Sequence, residues 1–129
     1  MKHFKPKEAA RFLAETPSAV FIDCRSEMEF LFVGHPTGAI HVAWNDGPNW
    51  DINPDFVAHV RKATSVNRPV VLICRSGNRT EMAGRFLSEK AGYAKVYNAK
   101  DGIREWIKQG RPVATAAPAI ARCKAAGAC

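Results

Sequence analysis

The stretch VVLICRSGNRTEMAGRFL, Val70 to Leu87, changes character in its middle. An apolar run of strand length, extended by Pro69 to PVVLIC, ends at Cys74. A compact loop follows, RSGNR, with Gly77 at its centre and a guanidinium on each side. From Thr80 to Lys90 the apolar residues recur with helical period, and Gly92 stops them. In open parallel sheets the ligand site lies outside the carboxyl ends of the strands, which is where Cys74 leaves its strand. The loop must curl tightly, and Gly77 admits the backbone angles such a curl needs. Amide N–H groups in the curl, reinforced by the partial charge at the helix N-terminus, form a cradle for an anion. Arg75 and Arg79 act in the same direction, because a nearby cation favours the nucleophilic thiolate. A cysteine at a strand end is usually a small buried hydrophobe, and arginines in a loop are usually solvated. Their conjunction in one short segment between strand and helix points to chemistry.

Outward from this junction, strand-length and helix-length segments alternate, which predicts an α/β fold with a parallel sheet covered on both faces. Pro6 opens a helix through Ala9, Ala10, Phe12 and Leu13 that ends near Thr16 and Pro17. AVFID reads as a strand. Ser26 is placed to cap a short helix carrying Met28, Phe30, Leu31 and Phe32, stopped by Gly34 and Pro36. GAIHVAW reads as a strand, NDGPNWDINP as a turn-rich loop, and Asn53-Pro54 as the start of a helix with Phe56, Val57 and Val60 on one face. AKVYNA is a further strand and GIREWIKQG a last helix. Residues 1–112 are expected to form one domain. Residues 113–129 form a tail rich in alanine and proline, expected to lie over the surface.

With 129 residues, 47% hydrophobic and 24% charged, the chain can bury one core and is not expected to be disordered. Its apolar runs are too short to span a membrane, and its first residues lack the apolar centre of a signal peptide, so a cytoplasmic location is expected. Cys24, Cys74, Cys123 and Cys129 lack the paired spacing of a zinc site, and neither a metal nor a cofactor is expected. The net charge of +7 favours anionic partners. The basic residues are scattered without a stacking or recognition motif, so a small anion is expected rather than nucleic acid.

Four motifs in order resemble the rhodanese-like sulfurtransferases, over most of the chain to Pro112. CRSGNRT is similar to that family's active-site loop, FIDCRSEMEF to its Asp-any-Arg strand end with an acidic and aromatic helix, GHPTGAIHVAW to its Gly-His motif, and DGIREWIKQGRPV to its closing helix. The resemblance implies an open parallel sheet of about five strands. It implies a cysteine nucleophile, Cys74, that takes the outer sulfur of thiosulfate or of a persulfide and passes it to a thiol, to cyanide, or to a sulfur-carrier protein. It implies contacts to the substrate from Arg75, Ser76, Gly77, Asn78, Arg79 and Thr80. The loop from Cys74 to Arg79 has six residues, where related phosphatases and arsenate reductases carry one more; this makes those activities the weaker alternative. A persulfide carrier or regulatory sulfur-relay module is the stronger one.

Other residues are expected to support the site. Asp23, Arg25 and Glu29 lie at a strand end, with an ion pair between Arg25 and Glu29 expected to fix the backbone. His35 is expected to anchor a turn, Cys24 to be a buried inert thiol, and Trp44, Trp50 and Phe56 to anchor core or loop. Against the family pattern, one extra residue separates Phe30 from Gly34, expected to lengthen a helix away from the chemistry. Asp101 stands where a glycine is frequent, and aspartate tolerates the left-handed backbone this turn needs. Cys123 and Cys129 are candidate accessory thiols.

Overall fold

The computed structural model describes residues 1–46, 49–115 and 127; Cys123 and Cys129 lie outside them. Its centre is β7 (Val70–Ile73), whose four residues are fully buried. Side chains alternate across a strand, so Val70 and Leu72 enter one core while Val71 and Ile73 enter another. A strand buried on both faces has no room for polar alternation, which is why PVVLIC is apolar throughout.

The five-stranded sheet has the order β1 (Lys2–Phe4), β8 (Val96–Ala99), β7, β2 (Val20–Asp23), β4 (Ile40–His41), and every pairing in it is parallel. α1 (Pro6–Glu15) and α4 (Gly102–Lys108) supply one face, packing Ala9, Ile103 and Trp106 against Phe21, Val71 and Ile73. α2 (Phe56–Ala63) and α3 (Asn78–Lys90) supply the other, with Phe56, Val60, Ala83 and Leu87 against Ile22, Leu72 and Val96. The α/β sheet with helices on both faces is the expected architecture. Its fifth strand, β1, is a short edge strand with a lysine, a histidine and a phenylalanine, a composition that carries no strand signal.

The order of strands locates a crevice. From β2 the chain moves outward to β4, whereas from β7 it moves the other way to β8. The connections diverge between neighbours β2 and β7, and a gap opens above their carboxyl ends. Asp23, Cys24 and Arg25 leave β2 at this gap, and Cys74 leaves β7 beside them.

Two further strand pairs are small. β5 (Asn45–Asp46) and β6 (Asp51–Ile52) form an antiparallel ribbon inside the segment expected as loop. β3 (His35–Pro36) pairs antiparallel with β9 (Val113–Ala114), so regular pairing runs two residues past Pro112.

The extra residue between Phe30 and Gly34 is absorbed differently from expectation. Glu29–Val33 forms a π-helical turn, which accommodates an inserted residue by widening the helix rather than extending it. The turn is not remote from the candidate site, because Glu29 and Val33 line the same pocket as Arg75 and Arg79 of the loop after Cys74. Ser26 and Glu29 cap this segment reciprocally: the Glu29 amide donates to Ser26 Oγ at 3.3 Å and the Ser26 amide to Glu29 Oε1 at 3.2 Å.

Candidate active site

The loop after β7 turns on Gly77, whose φ of +97° lies in the region glycine favours, and α3 begins at the next residue, earlier than the expected Thr80. This turn brings the Gly77 amide over Cys74, where its N–H donates to Sγ at 3.1 Å. Among the described residues it is the one amide of the expected cradle that bonds the sulfur. Thr80 Oγ1 lies 3.4 Å from Sγ on the other side. Thr80 has no exposed surface, and the first turn of α3 packs it inward toward the sulfur. Ser76 and Asn78 stand at the rim of the loop and line the adjoining surface depression.

Asn98 on β8 holds this loop from behind. Buried in an otherwise apolar strand, it accepts from the Thr80 hydroxyl and donates through Nδ2 to the Gly77 carbonyl at 3.3 Å. Its second contact from Nδ2 is His3 Nδ1 on β1, at 3.1 Å. Sequence reasoning missed both residues, although a lone asparagine inside AKVYNA was a usable signal: a buried amide must find partners.

The far side of the loop leans on the turn before α4. Asp101 holds φ at +64°, the left-handed conformation expected of it, and Gly102 comes next at +62°. A Cβ on Gly102 would stand 2.3 Å from the Cys74 carbonyl oxygen, so glycine is required here by close approach as well as by conformation. That approach allows the Ile103 amide to donate to the Cys74 carbonyl at 2.7 Å.

The arginines divide into engaged and free. Arg25 does not pair with Glu29 as expected. It is locked to Asp23, with Nε to Oδ1 at 3.0 Å and Nη2 to Oδ2 at 2.7 Å, and Nη2 also donates to the Gly34 carbonyl. Both partners are essentially unexposed, and two residues of extended chain bring them onto the same side. Glu29 instead receives Arg79, Nη1 to Oε1 at 2.8 Å and Nη2 to Oε2 at 3.1 Å. Burial pushes the Glu29 carboxyl up, but hydrogen bonds from Arg79 and Ser26 and the Arg79 charge outweigh it, lowering the pKa to about 2. Arg75 and Arg104 are exposed and make no side-chain hydrogen bond or ion pair among the described residues.

These residues enclose a pocket of about 600 Å³ above the sheet, lined by Arg25, Glu29, Val33, Trp50, Arg75, Arg79, Ile103, Arg104 and Ile107. Its walls come from the segments after β2, β4, β7 and β8, so they ring the carboxyl end of β7. Trp50 is 53% exposed and held at a φ of +58°, whereas Trp44 and Phe56 pack edge to face in the core. His35 anchors its turn: Nδ1 meets the Phe30 carbonyl at 2.6 Å and its ring stacks on Phe30. Cys24 is buried in the α2/α3 core.

The chain is thus an open α/β sheet with a buried cysteine in a glycine-turned loop at its switch point. The model of the rhodanese-like domain matches residues 5–109, and the chain belongs to that family. It is 40% identical over 101 residues to a sulfurtransferase of Allochromatium vinosum, covering 78% of this chain and 83% of that protein. It is 32% identical over 108 residues to the thiosulfate sulfurtransferase GlpE of Pseudomonas fluorescens, covering 82% and 87%. Among solved structures, Rv0390 from M. tuberculosis superposes with a TM-score of 0.77 at 30% identity, over 88% of this chain and 97% of that one. No helix among the described residues is long and apolar enough to cross a membrane.

Proposed function

We propose that this sulfurtransferase-family chain takes the sulfane sulfur of thiosulfate, or of a persulfide, onto Cys74 and passes it to a thiol or to cyanide. The observation that carries this reading is the Gly77 amide 3.1 Å from Cys74 Sγ at the carboxyl end of β7. In the first step the Cys74 thiolate attacks the outer sulfur of thiosulfate. The sulfur–sulfur bond of the donor breaks, its electron pair leaves with sulfite, and Cys74 keeps the sulfur as a persulfide. The Gly77 N–H is placed for the negative charge on sulfur before and after this step. Cys74 is 1% exposed, and the pocket lined by Arg75 and Arg79 of its own loop is the approach this reading assigns to the donor. Arg79 is occupied by Glu29, which leaves Arg75 as the loop guanidinium available to the sulfonate oxygens.

In the second step a thiolate or cyanide attacks the outer sulfur of the persulfide, and the Cys74 thiolate is the leaving group. The six-residue loop suits sulfur better than a phosphoryl group. Cys24 and Cys74 are both free thiols. The test is steady-state formation of thiocyanate from thiosulfate and cyanide. Wild-type protein is expected to turn over with one sulfite released per thiocyanate, and Cys74→Ser to be inactive while keeping its far-ultraviolet dichroism. A folded Cys74→Ser variant with wild-type turnover would refute the assignment.

A further inference from the structure

Gly77 keeps its amide on Cys74 Sγ although glycine is the residue whose backbone turns most freely. Something outside the turn must fix it. The Gly77 carbonyl receives the Glu81 amide at 3.1 Å, the opening bond of α3, and Asn98 Nδ2 at 3.3 Å, which comes from β8. Asn98 is 3% exposed and also accepts from the Thr80 hydroxyl, whose oxygen lies 3.4 Å from the same sulfur. One buried amide thus braces the two groups that contact Cys74 Sγ among the described residues.

That amide works in one orientation. Reversed, its oxygen would face the Gly77 carbonyl, acceptor against acceptor. The second Nδ2 hydrogen runs to His3 Nδ1, 3.1 Å away on the edge strand β1, where His3 stands opposite Asn98 in the register. Nδ1 therefore accepts, and the ring proton sits on Nε2. A second proton, on Nδ1, would set donor against donor and displace the Asn98 amide. Lys2 precedes His3 on β1, while Glu81 on α3 and Lys100 and Asp101 after β8 border the same depression; Glu81 is paired with Arg85 on its own helix.

Resting on the proposed reading for the choice of Cys74 as nucleophile, we infer that Asn98 and His3 are positioning residues for the reaction. Asn98 keeps the Gly77 amide and the Thr80 hydroxyl on the sulfur, and neutral His3 keeps Asn98 the right way round. The reactivity of Cys74 is thereby coupled to a histidine on the edge strand, and it falls in acid more steeply than the protonation of one thiolate requires.

The test follows alkylation of Cys74 by iodoacetamide in the full-length chain, resolved by peptide mass, so the readout does not depend on sulfur transfer. Rates from about pH 9 to about pH 5 separate the plateau, set by access, from the midpoint, set by thiolate stability. Asn98→Ala is expected to raise the midpoint by about one pH unit, a loss of about tenfold in rate below it. His3→Leu is expected to lose about threefold there, and His3→Asn, which offers an acceptor near the place of Nδ1, to recover the wild-type rate at neutral pH. On the acid side the wild-type rate is expected to fall by more than about tenfold per pH unit, and that of His3→Asn by about tenfold. Glu81, Lys100 and Asp101 are common to both, so the difference isolates the imidazole. If Asn98→Ala does not fold, the variants of His3, an exposed residue, decide alone. Wild-type midpoints in the Asn98→Ala and His3→Leu variants, or equal acid slopes in wild type and His3→Asn, would overturn the inference. Sulfite release in the first turnover with thiosulfate is expected to follow the same order of variants. If the alkylation trends hold while even wild-type protein releases no sulfite, the positioning roles stand and the sulfurtransferase reading fails.

Discussion

Cys24 and Cys74 occupy matching places at the carboxyl ends of adjacent parallel strands, and both are buried. What distinguishes the two thiols is the chain immediately after each. After Cys24 the chain runs into the locked Asp23–Arg25 pair, and the thiol faces the apolar core between the sheet and α2 and α3. Burial, and then the neighbouring Asp23 and Cys74, push the Cys24 thiol well above its ordinary range, against the opposing charge of Arg79. After Cys74 the chain reverses at Gly77, which points an amide hydrogen at the sulfur and starts a helix at once. Position at the switch point is shared; a donor aimed at the sulfur is not.

The largest way to break this contrast is to remove the proposed nucleophile: Cys74→Ser should abolish sulfur transfer, whereas Cys24→Ala should keep turnover within about threefold of wild type in the thiocyanate assay. Next comes the pair that separates the two strand ends. Arg25→Ala strands the Asp23 carboxylate without its partner, and chemical denaturation should show a loss of about 3–5 kcal/mol. Gly102→Ala attacks the Cys74 side alone. A methyl group pressed on the Cys74 carbonyl, on a backbone with positive φ, should lower kcat/KM for thiosulfate at least about tenfold, more than the accompanying loss of thermal stability would explain. The smallest effect concerns acid. Because the Glu29 carboxyl is lowered to about 2 in the folded chain, its pairing with Arg79 stabilises above the ordinary carboxylate range and is lost as pH falls toward 2. Glu29→Gln should therefore reduce the steepness of acid unfolding between about pH 4.5 and 2, measured by dichroism, and leave the slope near neutrality unchanged.

The sheet was legible in the sequence where burial on both faces leaves an unbroken apolar run, as in Val70–Ile73, and where helix stops are written in glycine. It was not legible in β1, because Lys2 and His3 on an edge strand need satisfy only one neighbour. Nor was the π-helical turn at Glu29–Val33, since an inserted residue can extend a helix or widen it and composition does not choose. At the site, Cys74 and Gly77 were visible through local chemistry: strand end, turn, helix start. The pairing of charges was not. Arg25 had Asp23 and Glu29 both within reach along the chain, and the choice was settled by Arg79, fifty residues beyond Glu29, which claims that carboxylate. Asn98 and Trp50 act on the loop and pocket through tertiary contacts alone, so only the folded chain reveals what they face.

The most direct measurement is peptide-resolved mass spectrometry of the wild-type chain after incubation with thiosulfate and removal of excess donor. A single added sulfur on the peptide containing Cys74, with Cys24 unmodified and the label discharged by cyanide, is the predicted result. Sulfur found on Cys24 or elsewhere while Cys74 stays a free thiol would contradict the account.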